Sequence, residues 1–117
     1  MKVTRIYTGA DNQSHFEDVE VELKDGGQGG TMSPLVPAKG VIFRENSGDY
    51  NFSWHNAPRR QYVVTLEGEV EIEIGDGTTR ILGGGEILLA EDTTGQGHIS
   101  RAVNGRPRKS LIIPLED

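Results

Sequence analysis

Three histidines, His15, His55 and His98, are the only side chains of this 117-residue chain whose unperturbed pKa lies near neutrality, and there is no cysteine. Thiol nucleophiles, disulfides and thiolate-held metals are therefore excluded. Acid–base work or metal ligation falls to imidazole, carboxylate and amide groups. His55 stands in Trp54-His55-Asn56, shortly before Arg59-Arg60-Gln61, and His98 follows Gly97 at the head of the alternating run Ile99-Ser100-Arg101-Ala102-Val103. His15, in Ser14-His15-Phe16-Glu17-Asp18, is remote from both and reads as a surface or strand-edge residue. Glu91 and Asp92 follow the apolar run Ile87-Leu88-Leu89-Ala90. A carboxylate at the rim of such a strand can act as a base with raised pKa, but adjacent acids beside Thr93 and Thr94 read first as a solvated turn.

The elements that must position these residues are strands. Apolar residues recur at every second position, as in Val19-Glu20-Val21-Glu22-Leu23 and Val70-Glu71-Ile72-Glu73-Ile74, the pattern of a strand with one wet and one buried face. No helical stripe persists over three turns, so the chain is expected to be all-β. Strands are predicted at Lys2–Tyr7, Phe16–Leu23, Val41–Arg44, Tyr50–His55, Gln61–Leu66, Glu69–Ile74, Thr78–Leu82, Glu86–Ala90, His98–Val103 and Lys109–Leu115, with Gly75-Asp76-Gly77 as a hairpin turn. Lys24–Gly40, with five glycines and two prolines, is too irregular for a strand and is expected to be a plain connection or a mobile lid. Gly83-Gly84-Gly85 has no helix after it to present N–H groups to a phosphate, so it reads as a turn.

Two glycine-framed segments carry a family resemblance. Gly48, five residues, Trp54-His55-Asn56, four residues, Gln61, six residues and Gly68 reproduce the spacing of the first cupin motif, whose usual content is His-x-His and then Glu. On strict counting Trp54 and Asn56 occupy the histidine positions and Gln61 the glutamate position, with His55 one residue out of phase. A weaker echo of the second motif begins at Gly85. There Glu91 and Thr93 hold the Pro and Gly positions and Gln96 the His position, unless a two-residue insertion brings His98 to it.

The chain thus resembles a small single-domain cupin with degenerate metal-binding motifs, over roughly Val41 to Leu115. The resemblance implies one domain spanning residues 1–117, folded as a cupin-type double-stranded β-helix, a jelly-roll barrel of two antiparallel sheets. It implies that His55 and His98 converge inside, where with Gln61 they would hold one divalent metal ion. Because strand neighbours face opposite ways, Trp54 and Asn56 facing inward would put His55 outside, unless a bulge or strand end near Asn56-Ala57-Pro58 turns it back. An inward Trp54 and Asn56 would suit recognition of an organic ligand, with Gln61 and Arg60 as further polar contacts.

Charge and length bound the partners. A net charge of −6 argues against nucleic acid, and the one dense basic patch, Arg106-Pro107-Arg108-Lys109, reads as a solvated turn. No apolar run approaches the ~20 residues that cross a bilayer, and the N-terminus lacks the apolar stretch of a signal peptide, so a soluble cytoplasmic protein is expected. The expected function is binding of a small organic molecule inside the barrel and chemistry on it. The reaction would be proton transfer of lyase or isomerase type, with His55 and His98 catalytic. The alternatives are a non-catalytic metabolite-binding cupin and an interaction module. A homodimer is expected, because strands such as Leu111-Ile112-Ile113 leave edges and faces that pairing would cover.

Overall fold

The computed structural model describes residues 1–117. Its twelve strands are β1 (Lys2–Thr8), β2 (Ser14–Glu20), β3 (Lys24–Gly27), β4 (Gly30–Met32), β5 (Ile42–Asn46), β6 (Asn51–His55), β7 (Gln61–Glu67), β8 (Val70–Glu73), β9 (Thr79–Leu82), β10 (Ile87–Glu91), β11 (His98–Ala102) and β12 (Arg108–Pro114). No helix is long and apolar enough to cross a membrane. A six-stranded sheet in the order β2-β1-β10-β7-β12-β5 is accompanied by a four-stranded sheet β6-β11-β8-β9 and the hairpin β3-β4. All pairings are antiparallel except β1 with β10. This is the all-β jelly-roll barrel that the sequence implied.

The alternation read from the sequence becomes the division between barrel interior and solvent. Gln61, Val63 and Thr65 of β7 are buried, as are Arg108, Ser110 and Ile112 of β12 and Val70 and Ile72 of β8. Register sets these rows face to face, with Ser110 opposite Thr65 and Ile112 opposite Val63. The apolar core is built around Ile6, Val70, Ile72, Ile74, Leu82 and Leu88. Burying each of the fully enclosed Ile6 and Ile72 contributes about 2–3 kcal/mol.

Every strand predicted from the sequence is present, with boundaries shifted by at most three residues, the largest shift being the end of β2 at Glu20 instead of Leu23. The exception is Lys24–Gly40, which contains the β3-β4 hairpin turned at Gln28 and Gly29, both at positive φ. All its strand residues are exposed, so apolar alternation could not reveal it. Backbone pairing and turn glycines define this hairpin without a buried face.

Candidate functional site

The interior of the barrel holds a cavity of about 310 Å³ bounded by both sheets. His55, Gln61 and His98 all line it; Trp54, Asn56 and Arg60 do not. The cause is a bulge in β6. His55 pairs with His98 while Phe52 pairs with Ser100, so β6 spends one more residue than β11 over the same span. The extra residue resets the phase, and Phe52 and His55 both reach the cavity, their rings stacked at 3.8 Å. Trp54 is left 40% exposed. The reset thus occurs at Ser53-Trp54, upstream of the Asn56-Ala57-Pro58 end considered from the sequence.

Asn56 has another task. Its Nδ2 donates to the carbonyls of Thr94 and Gly95 at 2.9 and 3.0 Å, which pins the loop leading to His98. Gly97 in that loop sits at φ +75°, and a Cβ there would collide with the His55 carbonyl, so only glycine lets the two histidine strands approach this closely. Arg60 is engaged elsewhere, bonded to Glu91 at 2.5 Å and to Asp117. Its neighbour Arg59 instead lines the cavity and donates Nη1 to Gln61 Oε1 at 2.8 Å. His15 lies on the edge strand β2, bonded to Asp11.

The two cavity histidines have ring centroids 4.4 Å apart. His55 Nδ1 lies 2.7 Å from the Ser53 carbonyl, an acceptor only, so this nitrogen carries the proton and Nε2 is left with its lone pair. Burial holds His55 below the usual imidazole range, and the nearby His98 and Arg44 push in the same direction, so the ring is neutral at pH 7. His98 Nδ1 lies 2.5 Å from Asp92 Oδ2, which also accepts from Ser14 Oγ at 2.7 Å. Asp92 is 0% exposed and its Oδ1 has no hydrogen-bond partner. It is no solvated turn residue; it continues the inward phase of Leu88 and Ala90 beyond the end of β10, and that spacing was the signal that would have found it.

Two further residues enter the cavity that sequence reasoning did not single out as site residues, Arg44 and Arg108. Arg108 was expected in a solvated turn, yet it is 5% exposed, and burial with the neighbouring Arg44 charge pushes its guanidinium down to about 10. Here too the alternation Arg108, Ser110, Ile112 carried the signal.

The cupin resemblance implies a metal, and the donors can be tested against that implication. His55 and His98 offer two imidazoles, but the Gln61 oxygen already accepts from Arg59, and no group of three or more His, Asp or Glu side chains gathers in metal-holding range. Three guanidiniums, of Arg44, Arg59 and Arg108, line the cavity. This donor set does not fit a divalent cation, which needs anionic or several neutral donors and gains nothing from adjacent positive charge.

The fold is a cupin-like jelly-roll barrel. The two-sheet strand order is that of a jelly-roll barrel, and the two glycine-framed segments are now seen as the β6–β7 and β10–β11 connections, each of which crosses from one sheet to the other. No family model matches the sequence, and no curated protein matches it. Among solved structures, the conserved SPY1581 protein of Streptococcus pyogenes is similar at a TM-score of 0.53 and 18% identity, over 74% of this chain and 70% of that one. Protein NMB1881 of Neisseria meningitidis is similar at 0.51 and 20% identity, over 65% of this chain and 72% of that one. An RmlC-like cupin protein from Desulfovibrio desulfuricans aligns over 96% of this chain and 79% of that one, at 16% identity and a TM-score of 0.47. The two likenesses with a TM-score above 0.5 speak to the fold alone and leave activity to be argued from the cavity itself.

Proposed function

We propose that the barrel binds a small organic molecule and moves a proton on it, with His98 as the acid–base group and Asp92 as the residue that positions it. The hydrogen bond between buried Asp92 and His98 in the cavity wall carries this reading. A carboxylate on Nδ1 fixes the tautomer and leaves the Nε2 lone pair for a C–H or O–H of the ligand. Nε2 takes that proton, the ligand keeps the electron pair as its conjugate base, and Asp92 stabilises the imidazolium. Returning the proton to a different atom gives an isomer. Delivering it to a departing group, as the electron pair forms a new double bond, gives a lyase reaction. Neutral His55 is placed to hydrogen-bond the same ligand.

The test is proton exchange followed by NMR in deuterium oxide, with a panel of small carbonyl and hydroxy compounds both charged and neutral. Exchange of a carbon-bound proton is expected with the native chain, and His98→Gln is expected to lower its rate by about 10²–10⁴-fold. Asp92→Asn should lower it too and shift the pH–rate profile, a readout that loss of packing alone would not move. Tight binding with no exchange of any compound would make the barrel a non-catalytic receptor.

This reading needs no resident metal. Protein purified without chelator or metal-affinity resin is expected to contain less than stoichiometric metal, and stoichiometric metal that His55→Ala or His98→Ala removes would overturn that. The proposed macromolecular partner is a second copy of the chain, joined through the free edge of β5, where Phe43 points outward and is 80% exposed. Light scattering is expected to give twice the chain mass, falling to one chain for Phe43→Lys; a monomeric native protein would remove the proposal.

A further inference from the structure

We propose that one end of the cavity is a binding site for the carboxylate of a small organic acid, held between Arg44 and Arg108. The inference rests on the reading of the barrel as a small-molecule site and names the charge of the molecule.

Register brings the parts together. Ser110 of β12 lies opposite Arg44 of β5 on one side and opposite Thr65 of β7 on the other, and Arg108 stands two residues before Ser110 on the same inward face. Arg108 donates Nε and Nη2 to Thr65 Oγ1 at 3.2 and 3.0 Å, and Arg44 donates Nε to Ser110 Oγ at 3.2 Å. Each hydroxyl oxygen receives a guanidinium proton there and still has its own O–H to give. Two guanidiniums and two hydroxyls thus form a set rich in donors.

No acid completes the set. Carboxylate partners are found for Arg5, Arg60, Arg80 and Arg101; of the four arginines without one, Arg59 and Arg106 are exposed to solvent, whereas Arg44 is partly and Arg108 almost wholly buried. The chain has 18 acidic residues and a net charge of −6, so carboxylates were not scarce. Two like charges side by side, one almost wholly buried, oppose folding unless something of opposite charge joins them. Burial lowers both guanidiniums from their usual range and the Arg44 charge lowers Arg108 further, yet Arg108 at about 10 stays charged at neutral pH. A planar carboxylate matches the fork of a guanidinium in shape and sign.

The rest of the cavity argues for an organic acid over a bare inorganic anion. Val63, Val70, Ile72, Leu88 and Ile112 supply an apolar wall, which a carbon skeleton would cover. The volume, about 310 Å³, corresponds to roughly ten water molecules and admits only a small acid. His55 and His98 line the same cavity, so a molecule anchored on the arginines presents its other end to the imidazoles.

The experiment is calorimetric titration and thermal shift with isobutyrate, succinate, the neutral isostere isobutyramide, and inorganic phosphate. The native chain is compared with Arg44→Met, Arg108→Met and the surface control Arg80→Met, each checked for fold by circular dichroism. The carboxylates are expected to bind at least tenfold more tightly than isobutyramide, to lose tenfold or more in either cavity variant, and to be unchanged in the control. Equal binding of isobutyrate and isobutyramide would overturn the proposal, as would phosphate binding more tightly than every carboxylate. The comparison of acid with amide uses only the native chain, so it decides even where a variant fails to fold. Carboxylate binding without proton exchange would overturn the catalytic reading and leave this one standing; exchange confined to neutral molecules would do the reverse.

Discussion

Two pairs of arginines lie on opposite faces of the same barrel wall. Outside, Arg5 and Arg60 bracket Glu91, each bonded to one carboxylate oxygen at 2.5 Å. Inside, Arg44 and Arg108 are bonded only to the hydroxyls of Ser110 and Thr65. The chemistry of the side chain is the same, and its pKa moves in opposite directions. Hydrogen bonds donated to Glu91 raise Arg5 and Arg60, whereas burial lowers Arg44 and Arg108. Burial pushes Glu91 itself up, but the two arginines overcome this and hold it below the usual carboxylate range. The outer set is a satisfied structural clamp. The inner set costs stability and keeps its donors turned to a cavity, as the proposed carboxylate site requires.

The comparison can be broken at its outer half most easily. Glu91→Ala removes the shared acceptor, leaves two guanidiniums facing each other, and is expected to destabilise the fold by about 2–3 kcal/mol in denaturant titration. Cavity binding should be unchanged. The inner half responds with the opposite sign. Arg108 has a folded pKa below its unfolded value, so below pH 10 its destabilising effect is fully present. The shift corresponds to roughly 3 kcal/mol, from which lost packing and the Thr65 bonds subtract. Arg108→Met is therefore expected to raise stability by about 1–2 kcal/mol while abolishing ligand-induced stabilisation. A less stable Arg108→Met chain would mean that the arginine is structural after all.

Smaller effects sharpen the same contrast. The folded pKa of His55 lies below its unfolded value, so its contribution is present above about pH 6.5 and is lost as pH falls through the folded pKa. Stability measured from pH 7.5 to 5 should fall less steeply in His55→Gln. Arg60→Ala leaves Arg5 on Glu91 and removes a half-exposed pair with Asp117, so it should cost no more than about 1 kcal/mol, shrinking further at high salt.

The strands were legible because a half-buried strand must alternate, and each predicted one is present. The β3-β4 hairpin was not, because nothing on it is buried. The site was legible in part. Gln61 follows from its frame and His98 from its place at a strand start, whereas the inward turn of His55 depended on one extra residue at Ser53-Trp54. That residue sent Trp54 and Asn56 out of the cavity. Asp92, Arg44 and Arg108 sit at positions whose phase was readable, since Leu88-Ala90-Asp92 and Arg108-Ser110-Ile112 each skip one residue, but charged types suggested solvent.

By itself, then, the sequence determined the β class, the strand order of hydrophobic faces, the absence of thiol chemistry and the pair of histidines available for proton transfer. Tertiary structure alone decided which residues share the cavity. A bulge inverts every side-chain direction beyond it, and whether a buried arginine has an acid beside it depends on strands distant in sequence, β5 against β12 and β12 against β7. Periodicity records which face of a strand is buried, while pairing register records what stands opposite, and the chemistry of this barrel resides in the second.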